Sequence, residues 1–161
     1  MGISLRKYGE WSKAGAVLRL LSSGKILPAY TAQLKDDGEL LLERMVGHID
    51  SQDLNWTPLS DMTIRLKNGN DTIYVDTGFL KENLKVRKVR APSNGVSYFI
   101  GADAWTTHPS GLKFSDLMIY LEYGTASIPA RPLIRPTFDE LEDIIKNHWK
   151  QCLKDLLEGG R

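Results

Sequence analysis

Cysteine is close to absent from this chain: Cys152 is the single thiol in 161 residues. That excludes a disulfide framework within the chain and suits a reducing compartment. Neither sign of charge is in excess. At a formal net charge of +1, no global field would recruit nucleic acid or a membrane surface. No run of about 18 apolar residues occurs, so no membrane-spanning helix is expected. The opening MGISLRKYGEW lacks the apolar core of a secretory signal. Met1-Gly2 would suit myristoylation, but Arg6 stands where that modification needs Ser or Thr. Histidine is sparse too, and His48, His108 and His148 read as sharing no metal-ligand spacing with one another or with Cys152. Gly78 and Gly101 belong to no phosphate-cradling pattern. A soluble, intracellular, single-domain protein is the expectation, with no metal and no cofactor.

What is present is enough apolar content (42%) to fill one core. Trp11, Ala14, Val17, Leu18 and Leu21 fall at helical spacing and predict a short amphipathic helix ended by Ser22-Ser23-Gly24. Pro28 suits the first turn of a second helix reaching about Gln52. Gly38 marks a bend or break in it. Ser60 is placed to open a short helix, and Asn68-Gly69 signals a turn. Leu84, Val86 and Val89 alternate with Lys85, Arg87, Lys88 and Arg90 as a half-exposed strand. Pro92–Gly95 then supplies hairpin chemistry, and Val96, Tyr98, Ile100 and Ala102 line one face of its antiparallel partner. Leu117–Tyr123 fits either a strand or a short helix. Pro136 and Thr137 open a long final helix, with Thr137-x-x-Glu140 as a capping box. The expected fold is α+β: a small antiparallel sheet of about three to five strands flanked by two or three helices. Residues 1–52 form a helical part, 53–135 a β-rich part, and 136–158 the C-terminal helix.

Catalytic chemistry is thin, and no enzyme is expected. Asp36, Asp37, Glu39 and Glu43 read as a solvated acidic helix face, and Cys152 as a buried, inert thiol on an apolar stripe. His148 reads as a helix-surface or core-edge residue. A better case exists for nucleic acid. Lys81, Lys85, Arg87, Lys88 and Arg90 form a basic run beside Tyr98 and Phe99, the footprint of a small nucleic-acid-binding module built on strand 85–90. Exposed lysines that discourage edge pairing explain the same run without a ligand. Trp56 reads as a loop anchor, and Gly78 as a turn capped by Thr77 or Asp76 that delivers Phe79 and Leu80 to the core.

The segment Leu121–Pro136, LEYGTASIPARPLIRP, is the most distinctive. Pro129, Pro132 and Pro136 exclude regular helix or central strand and extend the residues before them. The interleaved Ile128, Leu133 and Ile134 require a surface to bury them. Glu122 and Arg131 are partners either across subunits or within the loop, because a buried carboxylate needs one. Two readings stay open: a rigid segment docked on a neighbour, or a staple of the loop to its own core.

In chain order, Trp56-x-Pro58-Leu59-Ser60 with Thr63 and Lys67, then Thr77-Gly78-x-Leu80, two strands, and Glu122-Tyr123-Gly124-Thr125 with Ala130-Arg131-Pro132 and Pro136 resemble one family. It is that of the head–tail joining and tail-completion proteins of tailed bacteriophages, of the kind represented by minor tail protein Z. The resemblance covers roughly the C-terminal two-thirds. Asn83 and Leu84 depart from the family's serine and isoleucine. The resemblance implies a non-catalytic virion protein that can be monomeric until it meets a template ring and that assembles as a six-fold ring at the neck. There it would join the DNA-filled capsid to the tail and contact neighbouring neck and tail proteins. Genomic DNA would only pass through the channel, and no membrane is involved. The expected location is the virion neck, after assembly in the host cytoplasm. Glu122, Tyr123, Gly124, Thr125, Arg131 and Pro132 are the subunit-interface candidates. On that reading Arg131→Ala or Gly124→Val would leave a folded subunit unable to attach tails.

Overall fold

A computed structural model describes residues 11–89 and 95–158, with side chains from residue 13 onward. The N-terminal decapeptide, the basic residue Arg90, most of the expected 92–95 turn and the final glycines lie outside the described residues.

Two long helices form the frame. α1 (Trp11–Ser22) leads into α2 (Ile26–Ser51), and α6 (Ile134–Glu158) runs antiparallel to α2. The pairing is antiparallel because contacts descend one helix as they climb the other. Tyr30 meets Trp149 with ring centroids 5.1 Å apart, Asp37 meets His148, and Arg44 meets Glu140. Between them in sequence lie α3 (Asp61–Leu66), α4 (Phe79–Asn83), β1 (Lys85–Val89), β2 (Ser97–Gly101) and α5 (Phe114–Tyr123). The fold mixes helix and strand as expected, but with a different balance. Among the described residues there are six helices and a single two-stranded antiparallel sheet, fewer strands than the predicted three to five. The middle part, 53–135, holds this ribbon and three helices. Leu117–Tyr123 is helical: Phe114, Met118 and Glu122 are buried on one face at a four-residue interval, a pattern a short apolar run does not reveal by itself.

Gly38 breaks nothing. α2 is continuous through it, and its missing side chain lets the ribbon approach: a Cβ there would stand 3.0 Å from Val86 Cγ1 and 3.6 Å from Ile100 Cδ1. The register pairs Val86 with Ile100, Arg87 with Phe99 and Lys88 with Tyr98. Val86 and Ile100 therefore face α2, and Arg87 and Phe99 face the other way. α2 is capped by Gln52, which adopts left-handed φ. Its side chain donates to the Ile49 and Ile73 carbonyls and accepts from the Ile73 N–H, anchoring the loop to the helix end.

α1 forms where expected but turns its apolar stripe outward: Leu20 is buried, while Val17, Leu18 and Leu21 are exposed. Two local expectations are corrected. Gly78 itself, at φ 86°, opens α4 with no side-chain cap from Thr77 or Asp76, although Phe79 and Leu80 do reach the core. The Thr137–Glu140 capping box does not form. α6 starts at Ile134, Thr137 is fully buried and donates to the Leu133 carbonyl, and Glu140 pairs with Arg44. The core gathers Met45 and Ile49 of α2, Trp56, Ile73, Tyr74, Leu84, Ala102, Phe114 and Met118 of α5, and Leu133.

Candidate subunit-docking site

Glu122 lies in the last turn of α5, and the chain must return to start α6. The first N–H groups of a helix have no intrahelical partner and carry partial positive charge. The Glu122 carboxylate meets them: it accepts from the N–H groups of Leu133 (2.7 Å), Ile134 (2.9 Å) and Arg135 (2.9 Å). One α5 side chain thus caps α6 across the loop. Gly124 makes the reversal possible. It sits at φ 75° and donates to the Tyr120 carbonyl, and any Cβ would stand 2.8 Å from Ile128 O and Ala130 N. Thr125 closes the turn, donating its N–H to Ile128 O and accepting the N–H groups of Ser127 and Ile128 at its hydroxyl. Arg131 N–H to Leu121 O (2.7 Å) then seals the loop neck.

The returning strand is stapled to the loop that follows α2. Arg131 is buried, and its guanidinium donates to the carbonyls of Thr57 (2.8 Å) and Pro58 (3.0 Å). Trp56 Nε1 donates to the Pro132 carbonyl (2.6 Å), and the Tyr74 hydroxyl to that of Arg131. Burial and the Glu122 carboxylate push the Tyr74 pKa up, so it stays a neutral donor. The Trp56–Pro58 motif and the Glu122–Pro132 motif, separate in sequence, are one hydrogen-bonded cluster in space.

Of the six candidate interface residues, Glu122, Gly124, Arg131 and Pro132 thus have their contacts inside the chain. Tyr123 and Thr125 are exposed, Tyr123 at 79%. Glu122 and Arg131, expected as each other's partners, form no ion pair: each bonds backbone groups of its own chain instead. Substituting Arg131 or Gly124 would therefore disturb the subunit itself, contrary to the expectation of an intact fold.

Above the capped helix start lies an apolar groove of about 630 Å³, walled by Phe99 and Ile100 of β2, Met118 and Ile119 of α5, and Ile134 and Phe138 of α6. Tyr123 stands at its rim. Phe138 is 49% exposed, and Ile119 and Ile134 are also open to solvent. Sequence reading missed this groove, because Phe138 on an amphipathic helix reads as core.

The chain matches no family model, no curated protein and no solved structure.

The remaining chemistry-bearing groups serve the α2–α6 contact. His48 is buried, with Nδ1 bonded to Asp53; its Nε2 stands 3.1 Å from Glu140 Oε2 without hydrogen-bond alignment. Arg44 bridges Glu140 and Asp53. Asp37, expected on a solvated face, is buried and bonded to His148 (2.7 Å) and Gln33 (3.0 Å). No local signal could have revealed this, since it depends on which helix packs there. His148 and Cys152 lie one helical turn apart and share a cleft of about 390 Å³, a proximity discounted from spacing alone. Burial, then the Asp155 and Asp37 carboxylates, push the Cys152 thiol up, the opposite of what a nucleophile needs. On the ribbon, Tyr98 and Phe99 are consecutive and so face opposite sides, which leaves no two-ring stacking platform beside Lys85 and Arg87. No helix among the described residues is long and apolar enough to cross a membrane.

Proposed function

We propose that this protein is a structural virion component of a tailed phage or prophage, a head–tail connector or tail-completion subunit that works by packing against its neighbours in a ring at the neck. The observation that carries the reading is the open apolar groove over the α6 start. Exposed apolar patches rimmed by polar residues mark interaction sites, and this one has walls held in place by the Glu122 cap and the Arg131 staple. A surface ordered in advance loses little conformational entropy on docking, which favours its use at an interface. The family resemblance, carried by Trp56-x-Pro58, Thr77-Gly78-x-Leu80 and Glu122–Pro132, supplies the setting: six-fold ring, neck, virion.

The test is the composition and shape of particles. Purified virions should contain the protein, and immunogold labelling should decorate the junction of head and tail. Deleting its gene should yield DNA-filled heads and free tails. Infectious, tailed particles from the deletion, or virions devoid of the protein, would refute the proposal.

A further inference from the structure

α1 is an amphipathic helix turned inside out. Ala14, Val17, Leu18 and Leu21 follow the i, i+3, i+4, i+7 spacing of a buried stripe, yet all four are exposed, Leu18 at 67% and Leu21 at 64%. Leu27, exposed at the start of α2, extends the same apolar edge. Its size and regularity set it apart from the scattered surface leucines that need no explanation.

This ridge and the groove lie at opposite ends of one helix pair. α1 precedes the α2 start, which packs on α6 near Trp149. The groove is built on Ile134 and Phe138, and at about 1.5 Å per residue Phe138 lies roughly 16 Å from Trp149 along the axis. A ridge and a groove so separated cannot meet within one subunit, but they can meet head to tail between two.

Charge matches as well. From Trp11 to Lys25 the chain carries Lys13, Arg19 and Lys25 and no acidic residue. From Ile134 to Lys146, α6 carries Asp139, Glu140, Glu142 and Asp143 against Arg135 and Lys146, leaving it net acidic although these carboxylates also pair within the chain with Arg135, Arg44 and Lys146. Asp143 and Asp139 are well exposed. The opposite, sheet-side rim is basic, since Arg87 shares the face of Phe99. A docking α1 would therefore set its cations toward α6.

We propose that α1 of one copy seats Val17, Leu18 and Leu21 in the Phe99–Ile119–Phe138 groove of the next copy, a heterologous contact that repeats around a ring. It deepens the neck reading and rests on it. Ridge and groove are different surfaces, so each subunit keeps one of each free until the ring closes.

The test uses two full-length variants that alter exposed side chains: Leu18→Glu with Leu21→Glu, and Phe138→Glu. Circular dichroism checks that each is folded. In sedimentation velocity up to millimolar concentration, the unmodified protein should associate beyond the dimer. Each variant alone should associate about a hundredfold more weakly. A mixture of the two should form a dimer and stop there, because one intact ridge meets one intact groove. The proposal is overturned if the unmodified protein stays monomeric throughout, if the α1 variant alone still associates (a groove-to-groove contact), or if the mixture forms no dimer. Any of these outcomes leaves the neck reading standing so long as virions carry the protein at the head–tail junction. Virions without it would end that reading whatever the variants do.

Discussion

Replacing Glu122 by glutamine tests whether the 121–136 segment is a fold element in its own right. The native carboxylate accepts three backbone N–H groups at the start of α6, the shortest at 2.7 Å. An amide of the same shape keeps one oxygen and turns an NH2 donor toward N–H donors. Hydrogen bonds to a charged group are worth about 1.5–3 kcal/mol each in net terms, and an anion at a partly buried helix N-terminus contributes up to about 2 kcal/mol. The amide recovers some of this, because it no longer has to be desolvated as an ion. A net loss of about 2–3 kcal/mol is expected for Glu122→Gln, and about 4 kcal/mol for Glu122→Ala, which leaves all three donors unpaired in a buried place. For a chain of this size that lowers Tm by roughly 4–12 °C for Gln. Thermal unfolding followed by circular dichroism measures it, with Tyr123→Ala as the neighbouring control. Tyr123 is exposed, and its truncation should move Tm by no more than about 2 °C. If Glu122→Gln unfolds within about 1 °C of the unmodified protein, the cap contributes nothing and the staple is wrongly read.

Gly124→Val forces a branched Cβ onto the backbone of Ile128 and Ala130 at positive φ, and Arg131→Ala orphans the Thr57 and Pro58 carbonyls. Each should destabilise the isolated subunit by about 2–4 kcal/mol in urea unfolding, and undiminished stability would return both residues to the interface. The raised pKa of the Cys152 thiol, half-buried rather than buried as expected, predicts slow maleimide labelling at neutral pH that quickens as pH rises; labelling as fast as in the urea-unfolded chain would contradict its partial shielding. The Asp53 carboxyl is held below its usual value, first by the hydrogen bond from His48. A depressed folded pKa contributes stability above the unfolded value near pH ~3.9 and loses it as pH falls through the lower folded value. Asp53→Asn should therefore flatten the acid limb of stability against pH, and an unchanged limb would show that the pair adds nothing.

Much of the frame was legible because its cause is local. Periodicity located α1, α2 and α6 to within a few residues, since one helix face must be apolar. Ser60 accepts the Thr63 N–H as an N-cap should, and Asn68 and Gly69 both take positive φ. The sign of burial was less legible. α1 shows a correct helical stripe on the solvent side, because spacing reports that a face is apolar without saying what covers it. The capping of α6 was misassigned to Thr137 for a related reason: a capping box is recognised from neighbours in sequence, whereas Glu122 reaches the helix start from another element.

The sequence by itself determined where the long helices run, that a rigid proline-held connection lies within residues 121–136 (in the structure it is non-helical over 124–133, between α5 and α6), and which residue types that connection requires. Only the tertiary structure decided that Glu122 and Arg131 bond within the chain, that Asp37 and His148 meet across α2 and α6, and that the α1 stripe and the Phe138 groove stay open. Backbone propensity and periodicity are properties of a few adjacent residues. Partners for buried charge, and cover for apolar faces, depend on which distant elements come together.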